Sequence, residues 1–248
     1  MDILETRGVV KEFRGFRAVD GVDLRIAEGA IHALVGPNGA GKTTLFNLLT
    51  GFLKPTAGQI FYRGQDITYL PPERIAQLGL ARSFQITSLF EQLTVLEHVA
   101  LALQSRTGLG LRFWASEAAL DRFQPRAREV LAEVGLADLA GREVHSLPYG
   151  QKRALELALV LALDPAVLLL DEPTSGMSLE DVDRTINLIR RVRAGRTVVL
   201  VEHNMGVVSA LADRITVLQR GQVLAEGSYA EVRENPLVID AYLGQVHA

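Results

Sequence analysis

Residues Gly36-Pro37-Asn38-Gly39-Ala40-Gly41-Lys42-Thr43 carry the spacing G-x-x-x-x-G-K-[ST]. Glycines at these positions let successive backbone N–H groups turn inward. The resulting concavity, with the positive end of a following helix, binds phosphate oxygens. Lys42 has the reach for β- and γ-phosphates, the Thr43 hydroxyl suits Mg²⁺, and Thr44 can donate to an α-phosphate. The local pattern supplies the frame. Ile31 to Val35 is a short β-rich run before the loop, and Lys42 to Leu49 reads as a helix closed by Gly51.

A second set of polar residues follows apolar runs. Asp171 and Glu172 come directly after Val167-Leu168-Leu169-Leu170, which is continuously apolar as a strand buried on both faces must be. Alone, such an acidic pair reads as a helix cap or a solvated loop. Downstream of a phosphate loop, Asp171 reads as a metal carboxylate and Glu172 as the base that polarises an attacking water. His203 follows the apolar run Thr197 to Val201. The carboxyl ends of strands are where α/β sheets place ligands, so His203 is sited to donate to a γ-phosphate. His32, His98, His145 and His247 have no such setting and read as structural or surface residues. Gln85 stands where the first α/β part gives way to a helical stretch, within reach of both a metal and a moving subdomain. Phe13 is a candidate for stacking on adenine, with Phe16 as its competitor.

These residues need a frame of strands and helices. The 248 residues, 48% hydrophobic and 22% charged, are enough for one large domain or a core with an insertion. Strand-like alternation covers Gly8 to Val10 and Val22 to Ile26, with a turn at Ala27 to Gly29. Gly58 to Tyr62 reads as another strand. From about Ile86 to Asp164 the chain reads as consecutive helices. Thr94 is placed to cap a helix from Val95, with Glu97 at the capping-box position. Ala115 to Gly135 is amphipathic apart from Pro125, and Ser105 to Arg112 reads as a loop. The last third returns to alternating strands and helices: Leu179 to Arg193 and Met205 to Ala212 are helical, and Ile215 to Ala225 forms a hairpin about Arg220-Gly221. The pattern predicts a mainly parallel sheet interrupted by a helical insertion.

Composition excludes several classes. The richest apolar stretch, Ala154 to Leu170, is broken by Glu156, Asp164 and Pro165, so no membrane-spanning helix is expected. A net charge of −3 gives no electrostatic case for nucleic acid. The absence of Cys excludes disulfides and thiolate metal sites. The acidic start, Met1 to Glu5, lacks the basic region of a secretory signal, and the expected compartment is the cytosol.

Assembled in order, the motifs resemble those of the nucleotide-binding subunit of an ABC transporter. They are Phe13, the phosphate loop Gly36 to Thr44, Gln85, a signature Leu147-Pro148-Tyr149-Gly150-Gln151, Val167 to Glu172, a D-loop at Ser175 to Ser178, and His203. A finer likeness to the branched-chain amino acid branch rests on Leu147 to Arg153, on Val201 to Met205, and on the tail Glu231 to Gly244.

The resemblance implies a P-loop NTPase α/β core at 1–85 and 165–248, with an antiparallel β part and a helical subdomain at 86–164. It implies ATP and Mg²⁺ as cofactors, with Thr43, Gln85 and Asp171 about the metal and Glu172, His203 and Gln85 in catalysis. It implies a second ATP-binding subunit, whose ATP faces Leu147 to Gln151. It also implies permease subunits docking near Gln85 to Leu96, where Leu89-Phe90 is an apolar pair in a loop, and, indirectly, a substrate-binding protein. The chain would work at the cytoplasmic face of a membrane. Urea, amide or lipopolysaccharide systems and non-transport ATPases share most of these motifs. Two motifs depart from the family pattern: Pro148 and Tyr149 replace Ser and Gly of the signature, and Ser178 stands where the D-loop has Asp.

Overall fold

The computed structural model describes residues 1–83, 89–105 and 121–243. Strands β1 (Asp2–Phe13), β2 (Phe16–Ala27), β4 (Ala57–Tyr62) and β5 (Gln65–Asp66) form an antiparallel sheet in the order β2-β1-β4-β5. The second sheet runs β10-β9-β3-β8-β7-β6. In it β3 (Ile31–Val35), β6 (Leu80–Arg82), β7 (Val167–Asp171), β8 (Thr197–Val201) and β9 (Arg214–Gln219) are parallel, and β10 (Gln222–Gly227) is an antiparallel edge. Helices α1 (Lys42–Leu49) and α2 (Pro72–Gln77) precede β6. Helices α3 (Val95–Ser105), α4 (Gln124–Glu133) and α5 (Tyr149–Leu161) lie between β6 and β7. Helices α6 (Leu179–Val192), α7 (Met205–Leu211), α8 (Tyr229–Glu234) and α9 (Pro236–Leu243) follow.

Every residue of β3, β7 and β8 is buried. Side chains alternate across a strand, so each strand feeds two cores. Leu34, Val167, Leu169, Val199 and Val201 pack with Leu45, Phe46 and Leu49 of α1 and with β1 and β2. Ala33, Val35, Leu168, Leu170, Val198 and Leu200 pack on the other face with α6 and with the helices of the insertion, including Leu155, Ala158 and Leu161. Burying each such side chain contributes about 1.5–3 kcal/mol. Polar side chains are therefore confined to the strand ends. The exceptions at the sheet's far side are matched pairs: His32 meets the Thr216 hydroxyl at 2.8 Å, and burial lowers its pKa to about 4.

The structure extends the sequence reading in several places. Strands β1 and β2 are continuous over twelve residues each, where the pattern reads as short pieces. Register shifts between Thr6 and Val9, and positive φ at Gly8 and Gly21, break the alternation without ending the ladder. Pro125 does not interrupt a helix: it stands in the first turn of α4, where its missing N–H leaves no bond unmade. Helices α2 and α8, of six residues each, and strand β6, of three, are too short to have shown a period. The expected loop at Ser105 to Arg112 lies, beyond Ser105, outside the described residues.

Thr94 caps α3 as expected: its N–H donates to Glu97 Oε2 at 2.7 Å, and its hydroxyl accepts from the Glu97 N–H at 3.2 Å. Ser178 is the N-cap of α6, its Oγ accepting from the Asp181 N–H at 3.3 Å. Asp caps a helix as well as Ser does. The Ser178 hydroxyl also donates to Asp181 Oδ2, which a carboxylate cannot do, so Ser178→Asp is expected to lose part, and Ser178→Ala all, of about 1 kcal/mol of unfolding free energy, read by urea denaturation.

Candidate functional site

Strand β3 ends at Val35 and the chain turns into the phosphate loop. Gly36 has φ +147°, and a Cβ there would lie 2.1 Å from the Leu218 carbonyl oxygen of β9. Gly41 has φ +103°, and its Cβ would lie 2.4 Å from the Ala18 carbonyl of β2. The loop is thus wedged between the two sheets, and only glycine fits either contact. Lys42 is buried, and its Nζ donates to the carbonyls of Gly36 at 2.8 Å and Pro37 at 3.0 Å. Burial pulls its pKa below the ordinary lysine value, and the carboxylates of Glu172 and Asp171 oppose that. No side chain caps α1, so its first-turn N–H groups are available to an anion, as helix N-termini favour. Thr43 is exposed and Thr44 half-buried.

The next two strands toward the sheet edge end beside this loop, because the ladder runs β3-β8-β7. Neighbouring strands lie about 4.8 Å apart, so the ends of β3 and β7 are separated by roughly 10 Å. Asp171 closes β7. Its Oδ2 accepts from Arg82 Nη2 at 2.5 Å, and Arg82 Nη1 donates to Asn47 Oδ1 on α1, also at 2.5 Å. Glu172 follows with φ +46°, an uncommon conformation for a non-glycine residue, held by its N–H donating to the Val201 carbonyl at 2.9 Å. Its Oε1 lies 2.6 Å from His203 Nε2. An ionised carboxylate can only accept, so this contact puts the histidine proton on Nε2.

The signature residues begin α5, with Pro148 at the N-cap and Tyr149 as the first helical residue. The chain puts Pro148 just before the first helical turn rather than inside it. The Tyr149 hydroxyl reaches the Ser175 carbonyl at 3.4 Å and accepts from Arg153 Nε at 3.1 Å. A Cβ on Gly150 would come within 3.1 Å of Asp181 Oδ1. The Ser146 hydroxyl donates to the Glu143 carbonyl at 2.7 Å. Leu147 is buried in the core of the helical insertion.

The structure therefore brings Lys42, Asp171, Glu172 and His203 to one end of the sheet. Gly150 and Gln151 stand at a separate helix start. Gln85 and His247 lie outside the described residues. Phe13 and Phe16 face each other across the Arg14-Gly15 turn of the β1–β2 hairpin, both exposed; Lys11 Nζ sits 5.1 Å from the Phe13 ring centroid. Of the apolar loop pair, Leu89 packs against the insertion core and Phe90 is exposed. Phe90 is held by its N–H donating to His98 Nε2 at 2.9 Å. A shallow cleft is lined by Leu89, Phe90, Glu91, Gln92, Leu93 and Leu101.

Three residues at the site escaped the sequence reading. Arg82 is a charge closing an otherwise apolar strand, the same signal that marked Asp171. Glu202 directly follows an apolar strand, one residue before His203, as Glu172 follows Asp171. Tyr242 on α9 lies beside Gly36: burial pushes its phenol pKa up, and the Gly36 backbone opposes that. One cleft there is shared by Pro37 to Ala40 and by Asp240 and Ala241. No sequence signal pairs positions that far apart.

Comparison with known proteins agrees with this geometry. A family model described as "ABC transporter" matches residues 19–175, and one described as "Branched-chain amino acid ATP-binding cassette transporter" matches residues 222–248. The chain is 40% identical over 252 residues to the high-affinity branched-chain amino acid transport ATP-binding protein BraF of Pseudomonas aeruginosa, covering 98% of each. It is 40% identical over 250 residues to LivG of Escherichia coli (strain K12), of the same description, again covering 98% of each. Among solved structures, the ADP conformation of MJ1267, an ATP-binding cassette of an ABC transporter, superposes with a TM-score of 0.87 at 30% identity, over 98% of this chain and 99% of that one. The dimeric cassette MJ0796 bound to ADP and Pi gives 0.74 at 27% identity, over 91% and 98%.

The Arg82–Asp171 pair is 10% and 3% exposed at its side chains. Removing one partner of a buried pair leaves an uncompensated charge. Arg82→Met is expected to lower the unfolding free energy by about 3–5 kcal/mol by urea denaturation. Arg7→Met, at a solvent-screened pair with Glu5, should leave the urea midpoint unchanged within error.

Proposed function

Since the chain belongs to the ABC transporter family, we propose that it is the ATP-hydrolysing cassette of an importer for branched-chain amino acids. The observation that carries this reading is the meeting of Lys42, Glu172 and His203 at the carboxyl ends of adjacent parallel strands. The substrate class is supported by relatives that carry that description over nearly their whole length, and by the tail match at residues 222–248.

In this reading the loop Gly36 to Thr44 cradles the ATP phosphates. Lys42 exchanges its present carbonyl partners for phosphate oxygens. The donor set fits Mg²⁺: Thr43 offers an exposed hydroxyl and Asp171 a carboxylate, both hard oxygen ligands, and Mg²⁺ on a nucleotide takes only one or two from the protein. Bound there, the cation would neutralise charge developing on the phosphates, and Gln85 would complete its shell. Glu172 orients the attacking water, and the His203 Nε2–H, which meets Glu172 here, exchanges that partner to donate toward the γ-phosphate. Phe13 stacks on the adenine.

A single phosphate loop leaves the γ-phosphate open on one side. Gly150 and Gln151, at the uncapped start of α5, are the groups that a second cassette would present there, closing the site and excluding water. We take 1–85 with 165–248 as the nucleotide core and 86–164 as the helical subdomain that moves on closure. No helix among the described residues is long and apolar enough to cross a membrane. Transport would then be done through permease subunits on the cytoplasmic side, docking at the cleft about Leu89 and Phe90, with a substrate-binding protein delivering the cargo.

The test is reconstitution with the permease subunits in vesicles, following ATP hydrolysis and leucine uptake together. Glu172→Gln should cut hydrolysis on the order of a hundredfold or more while ATP affinity holds. Hydrolysis at the wild-type rate in that variant would overturn the assignment, and ATP turnover unaccompanied by uptake of any branched-chain amino acid would overturn the substrate class. Phe90→Asp should abolish uptake while the cassette still binds ATP; undiminished uptake would remove the docking site from the proposal.

A further inference from the structure

Glu202 is 3% exposed, and its carboxylate accepts four hydrogen bonds from two different loops. Oε1 takes the Thr174 N–H at 3.1 Å and the Thr174 hydroxyl at 2.6 Å, both from the loop after β7. Oε2 takes the His203 N–H at 3.0 Å and the Asn204 N–H at 3.2 Å, both from the loop after β8. The side chains carried by those loops meet in turn, Glu172 Oε1 against His203 Nε2 at 2.6 Å. The result is a closed ring: Glu202 to Thr174, along the chain through Pro173 to Glu172, across to His203, and back to Glu202. The ring is joined to the sheet where the Glu172 N–H donates to the Val201 carbonyl at 2.9 Å.

We propose that Glu202 is a positioning residue for hydrolysis, fixing the spacing and direction of Glu172 and His203 by holding the backbones of both loops. Resting on the assignment of those two residues to catalysis, the proposal adds what orients them. The chemistry favours a carboxylate here over any other group. Four N–H or O–H donors converge on it, and only a carboxylate presents two acceptor oxygens with no donor. Glutamine matches its shape but offers one acceptor and two donors. Whichever way its amide turns, one loop meets an N–H in place of an oxygen. Aspartate keeps the charge on a stem one carbon shorter, so it can serve one loop well and the other poorly. A loss of register of about 1 Å between reacting groups is enough to cost on the order of a hundredfold in rate. Lys42 and the phosphate loop make none of these bonds, so nucleotide binding should be spared.

The experiment compares Glu202→Gln, Glu202→Asp and Thr174→Val in the assembled, membrane-reconstituted transporter, measuring kcat and KM for ATP with single-turnover hydrolysis of labelled ATP to reach slow rates. Glu202→Gln should lower kcat on the order of tenfold or more with KM within about twofold, and Glu202→Asp should recover part of the loss. Thr174→Val, which removes one bond of the four, should move kcat the same way by less. In a His203→Ala background the ring is already open and only the Thr174 bonds still orient Glu172, so adding Glu202→Gln should cost clearly less than it does in wild type. Wild-type kcat in Glu202→Gln, a fall in ATP affinity parallel to the fall in kcat, or full multiplication of the two losses in the double variant would each overturn the proposal. Wild-type hydrolysis by both Glu172→Gln and His203→Ala would instead overturn the assignment beneath it.

Discussion

The central sheet is covered on both faces, and that constraint organises everything else. Each residue of β3, β7 and β8 is buried, one alternate set against α1 and the β1–β2 hairpin, the other against α6 and the helical insertion. A polar side chain within a strand loses its hydration and is kept only where a buried partner meets it, as Thr216 meets His32. The strands can therefore carry chemistry only where they stop. Because β3, β8, β7 and β6 are parallel neighbours, their stops lie in a row. The loop at Gly36, the pair Glu202-His203, the pair Asp171-Glu172 and Arg82 come from four distant parts of the chain and meet at one rim for that reason.

Crowding charge at a dry rim brings its own requirement. Asp171 and Glu202 are nearly inaccessible, and each must be satisfied by donors the fold supplies. Asp171 is met by Arg82, which also ties it to Asn47 on the phosphate-loop helix. Glu202 is met by backbone N–H groups and one hydroxyl. The two solutions differ in stiffness. A guanidinium on a long stem bridges elements but can pivot. Backbone donors cannot move without moving their loops. A side-chain link thus serves the carboxylate proposed to share a metal, and a backbone link serves the pair that must aim a water.

What could be read in advance follows from the same physics. The phosphate loop, Asp171, Glu172 and His203 are legible because an apolar run that must be a two-sided strand stops abruptly at polar residues. Arg82 and Glu202 bear that same mark, yet their meaning depends on partners: Glu202 on Thr174, 28 positions away, and Arg82 on Asp171, 89 positions away. No local period encodes such pairings. The long hairpin strands were obscured by the bulges at Gly8 and Gly21, which interrupt alternation while leaving the ladder intact. The tail was legible only as a likeness to a branch, because α8 spans six residues and α9 carries a single charge, Asp240, so neither shows a polar face against an apolar one. Its contact with Gly36 belongs to the folded chain alone.

The two departures from the family pattern yield to helix-end chemistry. Pro148 sits at the N-cap of α5 with extended ψ, and its carbonyl accepts from the N–H groups of Gln151 and Lys152, both at 3.0 Å. A proline loses nothing by lacking an N–H outside the helix, and its fixed φ suits the entry. What it removes is a hydroxyl that would have capped the N–H groups behind it. Of these, the Gln151 N–H is met by the Pro148 carbonyl, while the Gly150 N–H has no side-chain cap, so the helix end itself supplies the donor. At Ser178 the reverse holds: the side chain is present and is used as a cap, with its Oγ also donating to Asp181 Oδ2 at 2.9 Å. The first helix start is thus open to an incoming anion and the second is closed by its own residue, so the loss of the signature serine leaves backbone donors in its place.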